Sequence, residues 1–276
     1  MRFLILSRVL LCLALLLPTA ARAQDANPRV VDTHVHYNRE SWSVYTPEEA
    51  LALMREAGIA WALVSSTPDD GTLSLYELAP DVVVPFLRPY RSASDFATWT
   101  GDADVLAYVE ERLTWGVPYR GIGEFELAPG QAEHVVVRRL IDIAADRGLW
   151  LHAHAGPIAL RELASVRSDV RILWAHAGID AMPAEVEQVL LDYPNVWVEL
   201  SLRSAEIAPD GVLDREWRRL FVDYADRVML GSDTWLPRDW TALPRTHEVM
   251  KSWLQQLPPE VAAQLAHGTA ERLFGG

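Results

Sequence analysis

Two kinds of hydrophobic pattern alternate along this chain. Short β-branched, apolar runs fit strands that are buried on both faces. Longer stretches with apolar residues every three or four positions fit helices packed over them. The first run, 30–36, reads Val-Val-Asp-Thr-His-Val-His. A helix is predicted over 47–57. Thr46 suits its N-cap, Pro47 its first position, and Glu49 stands three residues after the cap. Gly58 ends it. Further strands are predicted at 59–65, 82–87, 119–125, 149–154, 171–176, 196–201 and 227–231. Further helices are predicted over 103–113, 132–147, 184–191, 214–225, 245–256, 259–266 and 270–274, with Gly148 closing the second of these.

The alternation predicts βα units on a parallel sheet. Eight strands in a chain of this length match a (β/α)8 TIM barrel, typically about 250 residues, as a single domain over 24–276. An open doubly wound sheet would need a glycine-rich phosphate loop after the first strand, and none is there. Gly121 and Gly123 follow strand-like residues, but no third glycine and helix follow in register.

The N-terminus stands apart. Arg2 and Arg8 precede an apolar run over 9–17, Pro18 breaks it, and Ala21-Arg22-Ala23 is a small-x-small cleavage site. This is the layout of a secretory signal peptide over residues 1–23. The run is short for a bilayer span, an uncleaved anchor being the alternative. Cys12 is preceded by Leu11 where a lipoprotein signal would have a small residue. The expected location is therefore periplasmic or secreted, with no stable membrane association after cleavage.

Removing 23 of 276 residues leaves 253 with no cysteine, which excludes disulfides, thiolate ligands and thiol nucleophiles. Three arginines leave with the signal, so 22 basic residues face 38 acidic ones, a net charge of −16. A chain this acidic has no electrostatic footprint for nucleic acid. The expected partner is a small-molecule substrate. The oligomeric state is open.

Five of the eight histidines, His34, His36, His152, His154 and His176, fall in or at the ends of predicted strands. His134, His247 and His267 fall in or beside helices and read as surface or packing residues. Side chains two apart on a strand share a face, so Asp32, His34 and His36 are expected together, as are His152 and His154. In a barrel that face is the interior, and the C-terminal strand ends form the mouth where active sites sit. Buried imidazoles need partners, and a divalent cation, zinc above all, supplies one. Asp233, after the eighth strand, and Glu124, at the end of the fourth, offer carboxylates. Taken singly, Asp233 suits a helix N-cap, Glu124 a pair with Arg120, and His176 a hydrogen-bonded core. Taken together, strand ends one, four, five, six and eight carry ligand-type residues, and the strands between them are read as carrying none.

These residues resemble the amidohydrolase superfamily, and more narrowly its amidohydrolase-2 and TatD-like metal-dependent hydrolase branches. The matching segments are DTHVH (32–36), GIGE (121–124), GLWLHAHAG (148–156), ILWAHAG (172–178), MLGSDT (229–234) and the closing AERLF (270–274), with Thr269 where asparagine is usual. The resemblance implies His34, His36, His154 and Asp233 as metal ligands. It implies His176 as a second-metal ligand or substrate polariser, with Asp32 and His152 behind the ligands. Glu124 resembles the bridging glutamate of the TatD-like branch. Glu126 shares its predicted face and competes for the role. The bridging lysine of some members is absent, and the amidohydrolase-2 branch often uses one metal, so one or two ions are both open.

The implied chemistry is hydrolysis by a metal-activated water. Asp233 shuttles the proton, and His176 helps stabilise charge on the substrate oxygen. The loops after the strands hold Tyr37, Trp42, Arg88, Tyr90, Arg91, Trp99, Arg203, Trp235, Arg238 and Trp240. Arg88, Arg203, Trp235 and Arg238 are the chosen substrate contacts, arginine suiting a carboxylate or phosphate. A small, anionic organic ester, lactone or amide is the expected substrate. Phosphoester hydrolysis, metal-dependent decarboxylation and a non-catalytic exported metal- or ligand-binding barrel are the alternatives.

Overall fold

The computed structural model describes residues 30–275. The predicted signal peptide lies outside the described residues. Among the described residues, eight strands form one sheet in the order of the chain: β1 (Val30–Val35), β2 (Ile59–Val64), β3 (Val83–Leu87), β4 (Gly121–Leu127), β5 (Trp150–Ala155), β6 (Arg171–Trp174), β7 (Val196–Glu199) and β8 (Val228–Met229). Every neighbouring pair is parallel. The gap between β8 and β1 is bridged by backbone bonds beyond the named strand ends. Thr33 N–H donates to Leu230 O at 2.9 Å, Asp233 N–H to His34 O at 2.8 Å, and His36 N–H to Thr234 O at 2.7 Å. The sheet thereby becomes the expected (β/α)8 barrel.

Helices α1 (Pro47–Glu56), α2 (Asp70–Leu78), α3 (Ala103–Arg112), α4 (Val135–Arg147), α5 (Pro157–Val166), α6 (Pro183–Asp192), α7 (Ser204–Ile207), α8 (Arg215–Asp223), α9 (Pro237–Leu254), α10 (Pro259–Ala263) and α11 (Thr269–Phe274) complete the chain. Most expected elements lie within two or three residues of their predicted limits. Helices α2, α5 and the single turn α7 were not anticipated. Asp69 precedes α2 in helical conformation without a capping bond, so no start signal marks it. Pro157 does mark the start of α5. Helix α9 begins eight residues before the predicted 245, because Pro244 is accommodated inside it rather than ending it. No described helix is long and apolar enough to cross a membrane.

The barrel interior is filled from the bottom up. Phe86, Trp150, Leu173 and Met229 form an apolar floor with Val31 and Leu63. Helix α11 caps it from below, with Phe274 packed 4.8 Å from Trp150 and 5.9 Å from Phe86, ring to ring. Gly121 is required here, because a Cβ would lie 2.1 Å from the Phe86 ring. Along β5, Trp150 joins this floor, while His152 and His154 project inward above it. Polar groups are thereby confined to the C-terminal half of the barrel.

The box predicted for α1 forms. Thr46 Oγ1 accepts from Glu49 N–H at 3.3 Å, and Glu49 Oε2 accepts from Thr46 N–H at 2.8 Å. Thr46→Ala is expected to lower stability by about 1 kcal/mol, read as a shift in denaturant midpoint at constant slope.

Candidate metal centre

Two β-bulges shape the mouth. In β1, three steps from Asp32 to Val35 face two steps of β2, from Ala62 to Val64. The extra residue changes the side-chain parity. His34 and His36 face inward as expected, but Asp32 does not join them. It turns to α9, where Oδ2 lies 3.0 Å from His247 Nε2, and Oδ1 accepts from His34 N–H (3.1 Å) and Ser232 N–H (2.9 Å). His247 is accordingly a fully buried packing partner. In β4 the register shifts between Gly123 and Phe125, leaving Glu124 as the extra residue. Glu124 is buried, whereas Glu126 is exposed beside His154 at the rim. The two glutamates therefore do not compete for one position.

Glu124 is the centre of the arrangement. Its Oε2 lies 3.4 Å from His34 Nε2 and 3.3 Å from His36 Nε2. Its Oε1 lies 3.1 Å from His154 Nδ1 and 3.3 Å from His176 Nε2. Asp233 completes the first half, with Oδ1 3.4 Å from His34 Nε2 and 3.3 Å from His36 Nε2. The two Nε2 atoms are 2.9 Å apart. One potential ligand set is thus His34, His36, Glu124 and Asp233, and another is Glu124, His154 and His176.

The donor set fits a divalent ion. Bonds of about 2.1 Å in a tetrahedral shell give donor–donor edges of about 3.4 Å, which the four nitrogen–oxygen separations of the first half match. Two tautomers also favour it. His36 Nδ1 donates to the Ser65 carbonyl, and His34 Nδ1 lies 3.0 Å from Glu199 Oε1. Each ring then has Nε2 free to coordinate.

The charges hold one another. Burial disfavours ionised Glu124. His34, His154 and His176 outweigh burial and keep its carboxyl well below the usual range. Burial likewise opposes the charge on Asp233, and His34 and His36 reverse it. Burial opposes protonation of His34, but Glu124, Asp233 and Glu199 together lift it well above an ordinary imidazole. His154 is raised too, burial being outweighed by its bond to Glu124. His152 goes the other way. Burial first, and then the neighbouring His34, hold it well below the ordinary value. Its ring centre lies 4.5 Å from that of His34, and its Nε2 has no hydrogen-bond partner.

His176 lies past the end of β6, in a turn with φ 58°. Arg203 fixes that turn, donating to the carbonyls of His176 (3.0 Å) and Ala181 (2.9 Å) with its guanidinium over Trp217. Arg203 is therefore buried structure and not a substrate contact. Arg88 is also corrected. It is buried and pairs with Glu124 at 2.8 Å, also donating to the Glu124 carbonyl at 3.1 Å. Arg120, the partner considered from sequence, instead points to Leu273 O. Tyr37, Tyr90, Trp99 and Trp240 are buried packing groups. Trp235 and Arg238 remain at the mouth, lining a depression of about 380 Å³ with Asp233 and Leu202. A second depression, about 450 Å³, is lined by His154, Glu126, Gln131 and Phe96.

The residue that sequence reasoning passed over is Glu199. Strand β7 does carry an acid, fully buried, against the expectation that only its neighbours would. A charge inside the apolar run Val196-Trp197-Val198-Glu199-Leu200 was the available signal. Burial opposes its ionisation, and His34 more than compensates, keeping its carboxyl below the usual range.

A family model for amidohydrolases matches residues 111–276, more than half of the chain. The chain belongs to the amidohydrolase family. As an amidohydrolase it is a metal-dependent hydrolase. A search of the curated proteins finds no match. Among solved structures it is similar to an uncharacterised TIM-barrel protein from Bordetella bronchiseptica, with 15% identity, 89% of this chain and 98% of that one covered, and a TM-score of 0.63. It is also similar to a probable 2-pyrone-4,6-dicarboxylic acid hydrolase from Acinetobacter baumannii, with 13% identity, coverages of 90% and 99%, and a TM-score of 0.62. A TatD homologue from Escherichia coli aligns with 15% identity, coverages of 90% and 98%, and a TM-score of 0.60. At these identities the likeness is one of fold.

Because His34 and His154 hold protons more tightly than ordinary imidazoles in the ion-free protein, ion uptake must release protons. Apparent ion affinity is expected to fall as pH drops from 8 to 6, measured by chelator competition.

Proposed function

We propose that this amidohydrolase is an exported hydrolase of small, anionic organic esters, lactones or amides, with a centre for two zinc ions to which Glu124 would contribute on both sides. His34, His36 and Asp233 would hold the first ion, and His154 and His176 the second. A divalent ion in such a shell lowers the pKa of a bound water from about 16 to about 7 and polarises the substrate carbonyl.

The observation that carries the reading is the position of Asp233. Its Oδ1 lies against both first-strand imidazoles, yet its side chain is 12% exposed, against 4% for Glu124 and 0% for Glu199. Among these carboxylates it alone meets the substrate side. There it takes the proton of the attacking water and returns it to the leaving oxygen or nitrogen. The water oxygen joins the carbonyl carbon, the acyl bond breaks, and the proton count balances. Metal binding alone would account for Asp233 as a ligand but not for its being the carboxylate open to the mouth. Glu124 stays ionised and buried, and Arg88 keeps it in place.

Substrate recognition falls to the depression beside Asp233. Trp235 and Leu202 offer an apolar wall, and the exposed Arg238, with only its Nε beside Asp239 at 3.4 Å, leaves its terminal nitrogens to suit a carboxylate. The Acinetobacter relative of similar fold is described as a hydrolase of a cyclic dicarboxylic acid, with citric acid bound, which agrees with an anionic substrate. Export rests on the signal-like segment 1–23, and the mature protein is expected to begin at Gln24, readable by N-terminal sequencing.

The reading is tested with a panel of lactones, esters, amides and phosphoesters. Turnover of a carboxylate-bearing lactone, ester or amide should vanish with a chelator and return with zinc. Elemental analysis should give two ions per chain. Chelator-insensitive turnover, or loss of CO2 without hydrolysis, would sink the proposal. Asp233→Asn should lower kcat by about 10²–10⁴-fold with the second ion still bound. Arg238→Ala should raise KM for anionic substrates and leave neutral ones unaffected.

A further inference from the structure

Glu199 ends β7 with every oxygen engaged. Its Oε1 accepts from His34 Nδ1 at 3.0 Å, the His176 amide at 2.7 Å and the Ser201 hydroxyl at 2.9 Å. Its Oε2 accepts from the Ser201 amide at 2.8 Å. With three donors already on Oε1, Glu199 has little capacity left to bind an ion itself, although it stands among possible ligands with His34 and His176.

The proton inventory around it is consistent. Ser201 donates its hydroxyl proton to Glu199, so its oxygen is an acceptor toward His176 Nδ1, 2.7 Å away. His176 therefore carries its proton on Nδ1. His34 carries its own on Nδ1 to reach Glu199. With Nδ1 so occupied, each ring turns Nε2 toward Glu124, His34 to Oε2 and His176 to Oε1, and Nε2 is the atom that would give up its proton to an ion. Gly231 gives this hub its room. A Cβ there would lie 2.2 Å from Glu199 Oε2 and 2.9 Å from His34 Cβ.

We propose that Glu199 is a positioning residue, extended by Ser201, that sets the tautomers of His34 and His176 and so aims one imidazole into each half of the metal centre. The proposal rests on the reading that both halves hold an ion. A buried carboxylate behind an imidazole fixes the ring and strengthens it as a donor, and losing such a partner typically costs about 10- to 100-fold in metal affinity.

Zinc affinity, measured by chelator competition on the full chain, tests it with two variants. Glu199→Gln leaves one acceptor oxygen for four donors, so both ions should bind about 10- to 100-fold more weakly. Ser201→Ala removes the close arm to His176 (2.7 Å) and a longer contact to His34 Nδ1 (3.2 Å), whose direct bond to Glu199 remains. The ion on the His176 side should weaken by that factor and the one on the His34 side clearly less. Melting of the ion-free variants runs alongside. Lower melting temperatures with unchanged affinities would make Glu199 a structural group only and overturn the proposal. Equal weakening of both ions in Ser201→Ala would also overturn it. If Glu199→Gln does not fold, Ser201→Ala decides alone. A wild-type chain that binds no zinc would overturn the proposed function instead, and one that binds a single ion would overturn the two-ion reading.

Discussion

The molecule is organised around one buried anion. The Glu124 carboxylate sits where imidazoles from β1, from the end of β5 and from the turn after β6 converge, with the Arg88 guanidinium beside it. A carboxylate placed so deep is tolerated only when surrounded by compensating partners. Those partners come from segments far apart along the chain, and only a closed sheet brings their ends to one point. The apolar floor below does related work, because it keeps water from reaching the polar layer from the other end.

The neighbours of that anion serve different tasks through their second ring nitrogens. His36 is tied to a backbone carbonyl and His34 to Glu199, while the two oxygens of Glu124 divide the imidazoles into pairs. The two depressions at the mouth flank this division. The one beside Asp233 carries Arg238, whose guanidinium lies 3.4 Å from Asp239, and the one beside His154 carries Glu126. Of the two, only the depression beside Asp233 offers a guanidinium to a substrate.

Much of this was legible in the sequence. The alternation of strand and helix gave the barrel, and His34, His36, Glu124, His154, His176 and Asp233 do meet. They were readable because divalent-ion chemistry demands a narrow set of side chains and barrel topology demands one place for them. What failed, failed for local reasons. Strict alternation places Asp32 inward, and a one-residue bulge reverses it. Arg88 and Arg203 read as substrate contacts in the sequence because an arginine in a loop carries no local sign of its partner. One found a buried carboxylate and the other a set of carbonyls. Glu199 was visible as a charge in an apolar run, but its strand was read as empty once its neighbours had been filled.

The seam where β8 meets β1 has a consequence of its own. Its hydrogen bonds involve the backbone of His34, His36 and Asp233, the same residues whose side chains meet above it. An ion held by those side chains would act as a clasp across the joint between the first and last strands. Loading the cation and locking the cylinder shut then become one event, and the emptied protein should breathe first along that line.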